Sequence, residues 1–190
     1  MADENKLKPM PDASFKGMMW LYKLANLIWN PRRRLKKIPL KEGMVGVDYG
    51  CGPGRYTLPL AELVGPGGKV FAVDIQPLAI KTVKEKAARR SLTNIEPVLV
   101  DSYNTGIQGS SVDLVLLLDT LHMIKNHDAL LHEIYRLLKP NGLLFMDPGH
   151  MKTSRARGIV ESIGPFTIEC RDKDMLVTLK PSNEAGNSAI

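Results

Sequence analysis

The 190-residue chain is 44% hydrophobic and 24% charged, with a formal charge of +6, a composition ordinary for one globular domain with a sizeable core. Cys51 and Cys170 are too few for a disulfide framework, and no C-x-x-C spacing offers a metal site, which points to a reducing, cytoplasmic setting. No apolar run approaches the roughly 20 residues of a membrane span, and the N-terminus lacks the apolar core and cleavage site of a signal peptide.

The charge is uneven. Residues 1–42 hold ten Lys/Arg and four Asp/Glu, and residues 43–190 hold 16 of each. The basic character therefore belongs to an N-terminal segment (1–42), ahead of a neutral body (43–181) and a polar tail (182–190). A neutral body argues against a general nucleic-acid face. Residues 1–12 are polar, contain two prolines and read as disordered. Ser14 can cap a helix over Phe15–Trp29, with Met18, Met19, Tyr22 and Ala25 at helical spacing. Asn30-Pro31 ends it, and Arg32, Arg33, Arg34, Lys36 and Lys37 follow. A helix packed on the sheet, with its arginines in solvent, is preferred here. A lid over the ligand site and a peripheral membrane contact through this basic helix are the alternatives.

Met44–Asp48 reads as the first strand. Gly50, Gly52 and Gly54 follow at alternate positions, and then a helix containing Leu58, Leu60, Ala61 and Leu63. A strand, a tight glycine turn and a helix are what a parallel α/β sheet uses to bind nucleotides. The spacing departs from G-x-G-x-x-G, because the sixth position from Gly50 is Arg55. That counts against a nicotinamide dinucleotide, and the absence of Gly-Lys-Ser/Thr excludes a P-loop. Strand two, Lys69–Val73, ends in Asp74, 22 residues beyond Gly52. A carboxylate there can accept hydrogen bonds from a vicinal ribose diol; it is also placed to cap the helix Pro77–Arg90, whose basic outer face reads as solvated surface. Strand three, Ile95–Val100, ends in Asp101-Ser102, which can accept from an adenine amino group. Residues 102–111 leave room for only a short helix.

Strand four, Val112–Leu118, is nearly all apolar, as a central parallel strand should be, and is followed by Asp119, Thr120, Leu121 and His122. A helix over Asp128–Lys139, a turn at Lys139–Gly142 and strand five, Leu143–Met146, lead to Asp147-Pro148-Gly149-His150. A short helix over Ser154–Ser162, a break at Gly164-Pro165 and an antiparallel hairpin of Phe166–Arg171 with Asp174–Lys180 complete the elements. Residues 181–190 read as disordered. The expected fold is α/β: a Rossmann-like, doubly wound, seven-stranded and mostly parallel sheet with an antiparallel C-terminal hairpin. His122 and His150 both follow strand ends, so either can serve as a base, or simply be a polar loop histidine.

The segments VGVDYGCGPGRYT, GGKVFAVDIQPLAI, VLVDS, SVDLVLLLDTLHMI and EIYRLLKPNGLLFM resemble, in order and spacing, the class I S-adenosyl-L-methionine (SAM) methyltransferases, nearest the ubiquinone/menaquinone-type small-molecule group. The resemblance covers about residues 41–147. It implies SAM as cofactor and S-adenosyl-L-homocysteine as product. It also implies that Asp48, Gly50, Cys51, Gly52 and Gly54 line the methionine end, Asp74 binds the ribose and Ile75 meets the adenine face. Asp101 and Ser102 would meet the adenine amino group, backbone near Leu118 the methionine amino group, and Asp119 would border the acceptor. Cys51 reads as a small neighbour of the cofactor, with no base beside it to make it a nucleophile. The Asp/Asn-Pro-Pro-aromatic motif of amino-directed nucleic-acid methyltransferases is missing after strand four, so the expected acceptor is a small molecule, or one presented by another protein. A non-catalytic SAM-binding protein and an enzyme acting on a lipid or quinone at a membrane surface are the competing readings.

Overall fold

The computed structural model describes residues 6–28, 30–162, 166–171 and 174–179. Trp29, the Gly164-Pro165 break, the Asp172-Lys173 turn and the expected disorder of 1–5 and 181–190 lie outside the described residues.

Seven strands form one sheet in the order β3-β2-β1-β4-β5-β7-β6. They are β1 (Val45–Tyr49), β2 (Lys69–Asp74), β3 (Ile95–Leu99), β4 (Val112–Leu117), β5 (Leu138–Met146), β6 (Phe166–Arg171) and β7 (Asp174–Leu179). β1 pairs in parallel with both β2 and β4, and β7 pairs antiparallel with both β5 and β6. The chain thus winds outward in both directions from β1 and β4, and the expected architecture is present. The crevice between the carboxyl ends of β1 and β4 is the switch point, where open α/β sheets bind ligands.

The apolar run of β4 is explained by two-sided burial. Leu114, Leu116 and Leu118 join one hydrophobic cluster with Leu35, Leu60, Val64 and Phe145. Val115 and Leu117 join the other, with Leu130, Ile134, Met146 and Val160. Each such side chain contributes about 1.5–3 kcal/mol when fully buried. Helices α3 (Thr57–Val64), α4 (Pro77–Arg89), α5 (His127–Leu137) and α6 (Thr153–Glu161) flank the sheet. Asn126 caps α5, its side chain accepting from the Ala129 N–H at 3.0 Å.

Three details differ from the sequence expectation. Leu138 pairs with Val112 directly after α5, so the Lys139–Gly142 turn is an outward excursion within β5; Lys139 Nζ meets Asp113 there at 2.8 Å. Residues 6–11 are coil held to the body, with the Leu7 N–H donating to the Asp101 carbonyl at 2.8 Å. The N-terminal helix α1 starts earlier than expected, spanning Asp12–Ile28; Phe15 is buried, Met18, Met19 and Tyr22 are half-buried, and Trp20 and Leu21 are 62% and 60% exposed. A short helix α2 (Pro31–Leu35) follows, capped by Asn30 and anchored by the fully buried Leu35.

Candidate functional site

The glycine loop leaves β1 with Gly50, Gly52 and Gly54 all at positive φ (77°, 50° and 80°), where a side chain is strained. The Gly50 and Cys51 N–H groups both donate to the Val73 carbonyl, at 2.8 and 3.0 Å, which pins the loop to the end of β2. A Cβ on Gly50 would sit 2.5 Å from Thr120 Oγ1, and one on Gly54 3.2 Å from Val83 of α4. A Cβ on Gly52 would meet nothing within 4 Å. Gly50 and Gly54 therefore permit close packing of the protein on itself, and Gly52 leaves open space above the loop.

Two carboxylates flank this loop differently. Asp48 is buried behind it and accepts from Thr57 Oγ1 at 2.5 Å. Burial pushes its carboxyl up to about 7 against that hydrogen bond, with a further push from Asp74. Asp74 lines the main cavity. Its Oδ2 accepts from the Gly52 N–H at 2.7 Å and its Oδ1 from the Gln76 N–H at 2.8 Å. Each oxygen keeps a lone pair for a ligand. Burial raises the Asp74 carboxyl, opposed by these N–H donors. The Cys51 thiol is buried and pushed well up, first by burial and then by Asp74 and Asp48, so it is an inert neighbour of the cavity.

The opposite wall comes from the end of β4. Leu118, Asp119 and Thr120 line the cavity. Asp119 takes φ 54°, and its N–H donates to Asp147 Oδ2 at 3.1 Å. Arg55 reaches Asp119 at 3.5 Å, with its guanidinium 5.4 Å from the ring centres of both Tyr22 and Tyr56. Arg34 lies behind this group. It pairs with Asp147 at 2.5 Å and Asp174 at 2.6 Å and donates to the Tyr56 hydroxyl at 2.9 Å. Burial opposes its charge, and hydrogen bonding to Asp174 overrides it and raises the guanidinium above its ordinary value. Burial raises the Tyr22 and Tyr56 hydroxyls and the Asp119 carboxyl, Asp119 with help from Asp147.

The cavity measures about 1340 Å³, beyond the roughly 300–1,000 Å³ of a typical small-molecule site; it has room for a cofactor and an acceptor together. Gly50, Cys51, Gly52, Asp74, Ile75 and Leu118 are brought together in its lining. Asp48 and Gly54 stand outside the lining, supporting the loop from behind. Asp101 is exposed, and neither it nor Ser102 lines the cavity; Val100 and Tyr103 do. His122 and His150 are not in the lining either. Their rings meet edge to face at 4.7 Å, and His122 Nδ1 is packed against Gly149. The arginines expected in solvent are divided: Arg33 is exposed, and Arg34 is the paired group just described. Phe15, Met18 and Tyr22 of α1 line the cavity as well. Arg55, Tyr56 and Tyr22 carried no local sequence signal beyond the glycine motif and the helix.

The residues present fit SAM. Gly52 offers open space beside the Asp74 carboxylate. Gln76, 3% exposed and in the lining, has a buried Oε1 with no hydrogen-bond partner. Such an orphaned acceptor calls for a donor from a ligand.

Residues 40–161 match a family described as a methyltransferase domain, well over half of the chain. A demethylmenaquinone methyltransferase of Staphylococcus aureus (strain JH9) is 29% identical over 152 residues, 76% of this chain and 62% of the relative. Its counterpart from Geobacillus sp. (strain WCH70) is 28% identical over 108 residues, 57% of this chain and 46% of the relative. The chain thus spans about half to three fifths of the length of these curated relatives. Among solved structures, a SAM-dependent methyltransferase from Aquifex aeolicus superposes with a TM-score of 0.75 at 24% identity, covering 90% of this chain and 98% of that one; it shares the fold. The chain belongs to the class I methyltransferase family, whose cofactor is S-adenosyl-L-methionine.

Proposed function

We propose that this chain binds SAM at the ends of β1 and β4 and transfers its methyl group to a small-molecule acceptor on the Tyr22–Tyr56–Asp119 side of the cavity. The observation that carries this is the open space at Gly52 next to the Asp74 carboxylate, at the mouth of a cavity large enough for two ligands. When bound, the cofactor supplies an activated methyl group on a sulfonium, open to in-line displacement.

The chain's residues do the rest. Asp74 accepts from the ribose hydroxyls and Ile75 packs on the base. The β4 end at Leu118 receives the amino-acid end. Tyr22 and Tyr56, their hydroxyls raised by burial, keep their protons at neutral pH and donate to the acceptor. Asp119 takes up a proton from an acceptor that carries one, helped by its raised carboxyl. Phe15, Met18 and Met123 line the same space and exclude water. The relatives' names support a quinone-type acceptor, in keeping with the aromatic wall. Both described cysteines are free, in line with a cytoplasmic setting.

Calorimetric titration with SAM, S-adenosylhomocysteine and NAD tests the reading. S-adenosylhomocysteine should bind and NAD should not. Asp74→Asn should weaken S-adenosylhomocysteine at least about tenfold, because hydrogen bonds to a charged acceptor contribute about 1.5–3 kcal/mol each. NAD binding, or no S-adenosylhomocysteine binding by the folded protein, overturns it. Turnover of SAM with an acceptor separates an enzyme from a binding protein.

A membrane-surface version of the same activity is favoured by the exposed Trp20 and Leu21, with Lys16 exposed on the same helix and Arg33 and Lys36 exposed in the segment that follows it. No helix among the described residues is long and apolar enough to cross a membrane. Failure to co-sediment with anionic vesicles at low salt would remove this version.

A further inference from the structure

A second recess, of about 470 Å³, lies behind the glycine loop, and its lining includes Gly54 and five cationic side chains: Arg32, Arg55, Lys86, Arg89 and Arg90. They come from three elements: α2, the glycine loop and the end of α4. The end of α4 favours cations through its dipole, which accounts for Lys86, Arg89 and Arg90. It does not account for Arg32 and Arg55, which converge on the same space from elsewhere in the chain.

The acids nearby do not balance this charge. Glu62 serves both Arg32 and Arg90, the latter at 3.2 Å. Asp119 meets Arg55 from the main cavity at 3.5 Å. Lys86 Nζ donates to the Pro53 carbonyl at 2.7 Å, which is a neutral partner. Among the described residues the Arg89 guanidinium has no ion-pair partner. Arg55 lines both this recess and the main cavity, and its buried Nε has no hydrogen-bond acceptor, a donor open to a ligand. Burial first, and then the neighbouring Arg90, hold the Lys86 ammonium below its ordinary value.

We propose that this recess is a binding site for a small phosphate-bearing anion, sharing only Arg55 with the lining of the methyl-transfer cavity. Its volume lies within the range of small-molecule sites. Guanidinium groups converging from several directions match phosphoryl oxygens by paired, charge-assisted hydrogen bonds. A concave wall concentrates the field that draws the anion in.

The test is calorimetric titration of the intact protein with inorganic pyrophosphate in low-salt buffer. Saturable one-site binding is expected. Arg89→Glu should weaken it at least about tenfold. Lys84→Glu makes the same charge change on an exposed side chain of α4 outside the lining, and should change affinity less than about twofold. Both substitutions are on the surface, and circular dichroism verifies the fold. No saturable binding overturns the proposal. Equal weakening by the two variants also overturns it, since the effect is then diffuse charge. Tighter binding of a single-stranded oligonucleotide that displaces pyrophosphate overturns the small-anion assignment. S-adenosylhomocysteine, titrated in the same runs, reports the main cavity alone, so its failure leaves the pyrophosphate result standing.

Discussion

Arg34→Met tests whether the N-terminal basic segment is part of the folded body. The substitution keeps most of the aliphatic stem and removes the guanidinium that bridges Asp147 and Asp174, both 5% exposed in their side chains. Removing one partner of a buried pair costs about 3–5 kcal/mol, because the remaining charge is left uncompensated. Here Asp174 retains Lys37 at 3.1 Å, and Asp147 retains the N–H groups of Asp119 and Gly149 at 3.1 and 2.7 Å. The loss therefore belongs at the lower end, about 3 kcal/mol. For a chain of this size that is a fall in Tm of about 6–12 °C. Urea unfolding should show a lower midpoint with an unchanged slope. Arg34→Lys should recover only part of the loss, because a single ammonium cannot serve two carboxylates and a tyrosine hydroxyl in the fork geometry. Arg33→Met, at an exposed neighbour, is the control. A loss under about 1 kcal/mol, equal to that of Arg33→Met, would make Arg34 an ordinary surface cation and refute the reasoning.

Three further outcomes are expected. Gly50→Ala should disrupt the loop, with poor thermal stability and no S-adenosylhomocysteine binding, because its Cβ would meet Thr120 at 2.5 Å with φ at 77°. Gly52→Ala has no steric neighbour; it should cost only about 1–2 kcal/mol of stability from its positive φ, yet weaken S-adenosylhomocysteine at least about tenfold, as read by calorimetry. Asp48 has a folded-state carboxyl raised to about 7, so the native state binds more protons than the unfolded chain between about pH 4 and 7. Stability should fall as pH rises through that window, by up to about 4 kcal/mol from this group, and Asp48→Asn should flatten the slope in urea titrations at each pH. A wild-type slope equal to that of Asp48→Asn would show that Asp48 is not buried as described.

What was legible in the sequence was what depends on neighbours along the chain. Three glycines at alternate positions, a carboxylate at the end of β2 and an apolar β4 each have a local cause, and each lies where expected. Asp101 shows the limit of that logic. β3 ends at Leu99, and in the coil that follows Val100 and Tyr103 line the cavity while Asp101 is exposed. Beyond the strand end no period of two fixes the face, so the coil decides which side chains reach the cavity. His122 stands outside the lining for a local reason: the 3₁₀ turn Leu121–Met123 buries Leu121, brings Met123 into the cavity wall and carries His122 toward His150. Arg34 is unreadable among its four basic neighbours, because what distinguishes it are Asp147 and Asp174, 113 and 140 residues away.

That last separation bears on how the molecule is made. Asp174 opens β7, the last described strand to be synthesised, and β7 supplies the antiparallel partner of β5 along Leu143–Met146. Until the ribosome has released it, β5 has one bare edge and Arg34 lacks one of its two carboxylates. The Arg34 segment, made before β1, must therefore wait for the last described strand before both of its carboxylates are in place. A nascent chain halted before Asp174 should expose Arg34 and the cavity wall to protease long after β1, β2 and β4 have paired.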